Sequence, residues 1–246
     1  MGARDSYSDG TFCWVDLATS DAGAAKRFYA RLFGWEAPAG DRYAHWVLGE
    51  RDVAGVYAPG AVEPGWTSYV AVADADAVAA RAAELGGSVI EPAAGAGENG
   101  RRAVLADPVG ATFALWQAGA HPGAGLVNDV GCWCSNQLQA HDPAPAAPFY
   151  RDLLGWDVEA EIGSVPPYWH VRAGGRDNGG MIREEDGPAA WLVYFHVADA
   201  DATALAVEAA GGEVSFPPTT VGVGRIAVCA DPQGAAFGVF AGPTDP

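Results

Sequence analysis

The stretch FYARLFGWE at residues 28–36 decides the fold, because the chain repeats it almost unchanged as FYRDLLGWD at residues 149–157. Two further phrases repeat: VADADA at 72–77 and 197–202, and ADPVGATF at 106–113 as ADPQGAAF at 230–237. The offset between the copies stays between 121 and 125 residues along the chain, as short loop insertions would cause. Self-similarity over such a distance indicates two homologous halves.

Within each half, strand patterns alternate with helix patterns. The stretch FCWVDL (12–17) predicts a strand, and AAKRFYARLFG (24–34) predicts a helix that ends at Gly34 and buries Ala24, Phe28 and Leu32. A second helix at 74–87 is predicted to bury Val78, Ala82 and Leu85. In the third helix Pro148 has no N–H to donate, so that helix is predicted to begin near Pro148.

This alternation predicts an α+β fold of four βαβββ modules, two in each half. We expect one domain at residues 8–120 and a second at 130–242. A linker at 121–129 would join them, because the stretch GAHPGAGLVND (119–129) is rich in Gly and Pro. The pattern does not say whether the modules pair within each half or between the halves.

The charge balance excludes several classes of partner. With 31 acidic and 14 basic residues, the chain has a formal net charge of −17. Nucleic acids and anionic membranes attract clustered Lys and Arg, so neither is an expected partner. The first ten residues, MGARDSYSDG, contain no apolar stretch, so no leader is expected; no apolar run reaches membrane-spanning length, and the four cysteines form no Cys-x-x-Cys pair. We therefore expect a reduced cytoplasmic protein of bacterial type, as a monomer or homodimer.

The repeated phrases resemble a known superfamily. WVDLATSD at 14–21, VADADAVAARAAELGG at 72–87 and ADPVGATFALW at 106–116 are similar to the vicinal-oxygen-chelate proteins, which include glyoxalase I, extradiol dioxygenases and bleomycin-resistance proteins. The resemblance covers residues 10–241. It implies two glyoxalase-like domains, in each of which two modules close a cup-shaped sheet.

Enzymes of this superfamily usually hold a divalent metal in the cup through His, Gln or Glu. Carried over by the resemblance, the ligand positions in this chain are Trp14, Thr67, Ala114, Ser135, Leu192 and Gly238. None of these six is a good ligand for Zn, Fe, Ni or Mn. We therefore expect no metal and no other cofactor. The phrase GAGENG (95–100) matches a nucleotide-binding pattern, but a strand follows it, so we interpret it as a turn.

Without a metal, each cup is expected to remain as a partly apolar pocket. Strand alternation predicts the ligand-binding residues of the first cup as Phe12, Trp14, Asp16, Tyr43, His45, Thr67 and Tyr69. It predicts those of the second cup as Trp133, Ser135, Gln137, Tyr168 and Leu192. Four further residues would carry acid–base catalysis in the second cup: His196, His170, Tyr194 and Arg172.

Plainer interpretations stay open for several of these residues. The Tyr-x-His pairs at 43–45 and 168–170 are equally consistent with structural hydrogen bonds. His196 replaces Ala71 of the first copy, so the fold does not require it; this makes it the better functional candidate, with a solvated or stacking histidine as the open alternative. His121 in the linker and His141 before the third helix are interpreted as structural or exposed.

Two functions compete. The first is metal-independent binding of a small aromatic natural product or metabolite, as in bleomycin-type resistance and sequestration. The alternative is a cofactor-independent tailoring enzyme of secondary metabolism, such as a cyclase, an isomerase or a hydroxylase-like protein, that uses histidine acid–base chemistry. A metal-dependent glyoxalase or dioxygenase would require ligands from unexpected positions. The residues alone do not decide whether the chain is an enzyme, nor which cup is active.

Overall fold

The computed structural model of the chain describes residues 2–38, 43–58 and 64–244. In the first half the elements are β1 (Phe12–Ala18), α1 (Ala22–Phe33), β2 (Tyr43–Leu48), β3 (Arg51–Tyr57), β4 (Gly65–Ala71), α2 (Ala75–Glu84), β5 (Ser88–Gly95), β6 (Gly100–Ala106) and β7 (Thr112–Ala118). In the second half they are β8 (Trp133–Ala140), α3 (Ala146–Leu154), β9 (Asp157–Ala160), β10 (Tyr168–Ala173), β11 (Arg176–Arg183), β12 (Ala190–His196), α4 (Ala200–Ala209), β13 (Glu213–Val221), β14 (Gly224–Ala230) and β15 (Ala236–Ala241).

The strands form one sheet per half, which confirms the α+β fold. The first sheet has the order β2-β3-β1-β4-β7-β6-β5, and the second has the order β13-β14-β15-β12-β8-β11-β10-β9. In each sheet the first strands of two successive modules, β1 with β4 and β8 with β12, lie side by side and antiparallel. The modules therefore pair within each half. Among the described residues of the first half, the counterpart of β9 is a bridge between Glu36 and Val47.

The helices end where the sequence predicts, but they bury a shifted face. The Asp21 side chain accepts the Ala24 N–H at the start of α1, and Gly34 ends the helix with φ 74°. The buried residues of this helix are Ala25, Phe28, Tyr29 and Phe33 rather than the predicted set. Helix α3 begins at Ala146, and Pro148 is its third residue. The prediction of a start at Pro148 is wrong because first-turn N–H groups have no intrahelical partner to lose.

The residues that the two copies share build the contact between the halves. The Tyr29 hydroxyl accepts the Trp66 indole N–H at 3.0 Å and donates at 3.3 Å to Asp231 of the other half. The reciprocal contact uses Trp191, Tyr150 and Asp107. Likewise, the Trp35 indole donates to the Gly131 carbonyl, and the Trp156 indole donates to the Gly10 carbonyl. One continuous hydrophobic core therefore spans both halves.

The segment predicted as a linker packs against the first half. The Ala124 N–H donates to the Cys13 carbonyl at 2.8 Å, and the Tyr7 hydroxyl donates to the Ala124 carbonyl at 2.6 Å. A bridge between Ala3 and Leu126 adds the N-terminal segment to this contact. These bonds place His121 beside the first sheet. Among the described residues, no helix has the length and apolarity needed to cross a membrane.

Candidate functional site

The concave face of the first sheet encloses a cavity of about 450 Å³, called cup 1 below. The described residues that line it are Trp14, Asp16, Tyr43, His45, Tyr57, Tyr69, Ala96, Asn99, Arg102, Trp116 and His121. Aromatic rings form most of its wall, and a few polar groups converge at one end. This combination is typical of a site for a small, largely apolar molecule.

Asp16 is the centre of the polar end. Its Oδ2 accepts the Tyr69 hydroxyl at 2.6 Å and the Tyr43 hydroxyl at 3.1 Å. Tyr43 in turn accepts the Trp14 indole N–H at 2.8 Å. Together Trp14, Tyr43, Asp16 and Tyr69 are called the Asp16 cluster below. The cluster links the aromatic wall to a buried carboxyl group.

The second oxygen of Asp16 is unsatisfied. Asp16 is only 1% exposed, and its Oδ1 has no hydrogen-bond partner among the described residues. Burial raises the Asp16 pKa to about 6, against the opposing effects of the Tyr69 hydrogen bond and the Arg102 charge. The Nε of Arg102 is also buried without a partner among these residues. A buried polar atom without a partner favours the binding of a ligand that supplies one.

Tyr43 reaches Asp16 because β3 carries a glycine below it. A Cβ atom at Gly55 would lie 2.2 Å from the Tyr43 hydroxyl oxygen. In the second half, a Cβ atom at Gly180 would lie 1.9 Å from the Tyr168 hydroxyl oxygen. The hydroxyl end of each tyrosine of the repeated Tyr-x-His motif therefore lies over a glycine, and each tyrosine also lines its cavity. The structural and ligand-binding interpretations of these tyrosines are compatible.

Two histidines and a carboxylate lie beside the Asp16 cluster. His45 Nδ1 is 2.9 Å from Asp52 Oδ2, and His121 Nδ1 is 3.7 Å from the same oxygen. Burial lowers the His121 pKa to about 4, and the neighbouring His45 adds to this effect. His121, interpreted from sequence as structural or exposed, is nearly buried and also lines cup 1. The linker bonds the Cys13 and Asp52 carbonyls of the first half, a contact that no local sequence pattern predicts.

The second sheet encloses a larger cavity of about 690 Å³, called cup 2 below. The residues that line it include Cys134, Ser135, Gln137, Glu161, Tyr168, His170, Asp177, Tyr194 and Phe240. The Tyr194 hydroxyl donates to Gln137 Oε1 at 3.1 Å, and His170 Nε2 lies 3.4 Å from Glu161 Oε2. Gln137 stands where cup 1 has Asp16, so cup 2 has no counterpart of the buried carboxyl group.

The inherited metal positions do not fit a metal. In the first half they hold Trp14, Thr67 and Ala114, of which only the threonine hydroxyl is a possible oxygen ligand. In the second half, the Tyr194 ring covers Gly238, where a Cβ atom would lie 2.3 Å from the ring. A glutamate at that position would displace the tyrosine. No chemistry is therefore assigned to a metal held at these positions.

Most of the predicted ligand-binding residues line a cavity, but Phe12 and Trp133 do not. Phe12 packs against Trp156 and Trp191 across the contact between the halves. Trp133 belongs to the shared core. The prediction is wrong for both because each first strand contains a β-bulge, between Phe12 and Trp14 and before Ser135. A bulge adds one residue and reverses the alternation of the side chains beyond it.

Four other predicted site residues lie outside the cavity linings. Thr67 and Leu192 pair directly with Asp16 and Gln137, which puts them on the predicted face, but neither lines a cavity. His196 Nδ1 contacts the Asn128 carbonyl oxygen at 2.8 Å. Arg172 pairs with Glu159 at 2.9 Å and with Asp177 at 3.4 Å. The side chains of His196 and Arg172 are thus held by neighbours rather than presented to cup 2.

Sequence reasoning missed the far wall of cup 1. Arg102 on β6 and Trp116 on β7 line it, and Asn99 comes from the GAGENG turn, which is a turn as predicted. Tyr57 at the end of β3 stacks on Tyr43 with ring centroids 5.6 Å apart. The alternation of β6 and β7 could have indicated Arg102 and Trp116, but the predicted residues of the first cup lie only on β1, β2 and β4.

Comparisons with known proteins agree with this fold. The sequence profile of the glyoxalase-like domain matches residues 14–116 and 136–240. The chain is 42% identical over 255 residues to a Mycobacterium tuberculosis protein named "Putative glyoxylase CFP32", with 98% of each chain covered. It is 35% identical over 263 residues to the anthracycline biosynthesis protein DauV of Streptomyces sp., covering 95% of this chain and 94% of that protein.

Solved structures extend the likeness at the level of the fold. The Mn(II)-bound glyoxalase from Novosphingobium aromaticivorans superimposes with a TM-score of 0.68 at 18% identity, covering 95% of this chain and 82% of that one. An extradiol ring-cleaving dioxygenase from B. fuscum superimposes with a TM-score of 0.70 at 14% identity, covering 98% of this chain and 75% of that one. With two matched copies of the domain and this fold, the chain belongs to the glyoxalase-like domain family within the vicinal-oxygen-chelate superfamily.

Proposed function

We propose that cup 1 binds a small aromatic metabolite of a natural-product pathway, without chemical change and without a metal at the inherited positions. The observation that carries this proposal is the Asp16 cluster at the end of an aromatic-walled cavity. A planar ligand would stack on the ring of Trp14, a contact that contributes about 0.5–1.5 kcal/mol beyond the buried area. A phenolic or enolic hydroxyl of the ligand would supply the donor that Asp16 Oδ1 lacks.

The relatives support an aromatic ligand. One of them is named as an anthracycline biosynthesis protein, and anthracyclines contain a hydroxylated anthraquinone. A cavity of about 450 Å³ lies in the range that holds molecules of this size. The net charge of −17 favours a neutral or cationic ligand over an anionic one.

Calorimetric titration with a dihydroxyanthraquinone, in the presence of a chelator, tests the proposal. We expect binding that weakens by at least about ten-fold in Asp16→Asn and in Trp14→Ala, since a hydrogen bond to a charged group contributes about 1.5–3 kcal/mol. Ser135→Ala, at the position equivalent to Trp14 in cup 2, is the matched control and should bind like the wild type. Unchanged affinity in both cup 1 variants would overturn the proposal.

A second candidate function, cofactor-independent proton transfer, is favoured by one observation in cup 2. His170 lines that cavity and has Glu161 as a carboxylate neighbour at 3.4 Å. A histidine–carboxylate pair in a cavity is suited to remove a proton next to a ligand carbonyl and to return it elsewhere. Tyr194 would orient the carbonyl from the same cavity.

The measurement for this candidate is deuterium exchange at the acidic C–H of an added anthrone, followed by NMR. Loss of a general base costs about 10²–10⁴-fold in rate, so His170→Ala should abolish protein-dependent exchange. His196→Ala is the matched control, because His196 does not line the cavity. Absence of exchange in the wild type leaves binding as the function.

A further inference from the structure

We propose that His45, Asp52 and His121 form a binding site for a divalent transition-metal ion beside cup 1. His45 lies on β2, Asp52 lies on β3, and His121 follows β7. One ligand atom from each, a ring nitrogen or a carboxylate oxygen, lies within 4.8 Å of the other two. None of these residues is at an inherited metal position, so the site is not the one that the superfamily implies.

The distances suit a small metal ion. Two ligands that each lie about 2.1 Å from a tetrahedral ion are about 3.4 Å apart. The separations of 2.9 Å between His45 Nδ1 and Asp52 Oδ2, and of 3.7 Å between His121 Nδ1 and the same oxygen, lie on either side of that value. Two imidazoles with one carboxylate suit Zn²⁺, Fe²⁺ or Co²⁺ better than Mg²⁺ or Ca²⁺.

A β-bulge brings Asp52 to the histidine side of the sheet. Trp46 pairs with Ala54 and Val47 pairs with Asp52, so Val53 is an extra residue on β3. Without the bulge, Val53 would face Val47 and Asp52 would point to the other face. The bulge therefore places a carboxylate beside His45.

His121 supplies the independent observation for a ligand. Its side chain is only 10% exposed, its Nε2 has no partner among the described residues, and its Nδ1 lies 3.7 Å from Asp52 Oδ2, which is too far for a hydrogen bond. The ring packs edge-on against Trp14 at 4.6 Å, and the Trp116 indole fixes its backbone carbonyl at 2.9 Å. A buried imidazole held in place without a hydrogen bond is costly unless something binds it.

In cup 2 the residues equivalent to His45 and Asp52 do not lie together. Its counterparts of His45 and Asp52 are His170 and Asp177. Arg172, which replaces Val47, forms an ion pair with Asp177 at 3.4 Å. His170 lies beside Glu161 rather than beside Asp177. The cluster is thus a property of cup 1 and not of the repeated module.

Titration of the EDTA-dialysed full chain with Co²⁺ tests the site by its d–d absorption and by calorimetry. We expect one Co²⁺ per chain, with bands of four- or five-coordinate cobalt that Zn²⁺ abolishes. His45→Ala, Asp52→Asn and His121→Gln should each weaken binding by at least about ten-fold. His141→Ala is the matched control, since His141 is 71% exposed beside Glu185 and should leave Co²⁺ affinity unchanged.

Circular dichroism shows which variants are folded, and only the folded variants are compared with the wild type for Co²⁺ affinity. Wild-type protein without cobalt bands, or equal affinity in all folded variants of the three positions, would overturn the metal site. The experiment is independent of the proposed ligand binding, which is measured in chelator with an anthraquinone. One proposal can therefore fail while the other holds.

Discussion

The two copies of the repeat are alike where the halves touch each other and differ in the cups. At the contact both copies keep the same residues: Tyr29 and Trp35 have identical counterparts that bond reciprocally across it, and Trp66, like Trp191, bonds the tyrosine of its own half. In the cups the copies differ: Ser135 stands in cup 2 where cup 1 has Trp14, and Gln137 stands where cup 1 has Asp16. Stability requires both faces of a shared core to fit, whereas each cup is free to change its chemistry alone.

The largest effect should come from the contact. Trp35→Ala and Trp156→Ala each remove a fully buried indole that donates across the halves, and each should lower the free energy of unfolding by about 3–5 kcal/mol. Because the core is continuous, we expect one cooperative transition in urea for both variants. Two separate transitions, or a large effect in only one variant, would break the equivalence of the two halves.

The next effect sharpens the contrast between Asp16 and Gln137. The folded Asp16 pKa of about 6 lies above the ordinary value of 3.8, so its protonated form is favoured in the folded state. The contribution of protonated Asp16 to the stability of the folded state is complete below pH 3.8 and is lost as the pH rises through 6. Relative to wild type, the free energy of unfolding of Asp16→Asn should therefore rise by up to about 3 kcal/mol between pH 4 and pH 7.5. Chemical denaturation across this range measures the gain.

Gln137→Asn is the matched control in cup 2. It exchanges one neutral amide for another, so its stability relative to wild type should not depend on pH. A pH-independent difference for Asp16→Asn as well would show that Asp16 is not buried as a carboxyl group in solution.

A smaller effect tests the reciprocal hydrogen bonds. Tyr29→Phe and Tyr150→Phe each leave a buried aspartate oxygen and an indole N–H, part-buried in Trp66 and buried in Trp191, without their partner. We expect each variant to lose about 1–3 kcal/mol of unfolding free energy, with similar values for the two. Thermal denaturation of both variants in parallel is sufficient, and a difference above a factor of two would argue against reciprocity.

The smallest effect concerns His196. Its ring bonds the Asn128 carbonyl and does not line cup 2, so His196→Ala should lose about 0.5–1.5 kcal/mol of stability. Ligand affinity in cup 1, measured by calorimetry, should remain that of the wild type. A ten-fold fall in the affinity of cup 2 for any ligand would return His196 to the site.

The sequence by itself determined the repeat, the α+β modules and the cup positions of Trp14, Asp16, Tyr43 and Tyr69. These follow from periodicity within a strand or helix, which depends on local geometry and is visible along the chain. The glycines under Tyr43 and Tyr168 also appear in the repeat, although only their spacing in three dimensions shows what they accommodate.

Only the tertiary structure decided which residues meet. The bulges after Phe12 and after Trp133 reverse the alternation, and one extra residue in a strand leaves no sequence signal. The linker carries His121 back to cup 1 through contacts with segments more than a hundred residues away, such as Cys13 and Tyr7. Asp52 reaches His45 through a third bulge. Long-range packing and register, rather than local pattern, placed these side chains beside the same cavity.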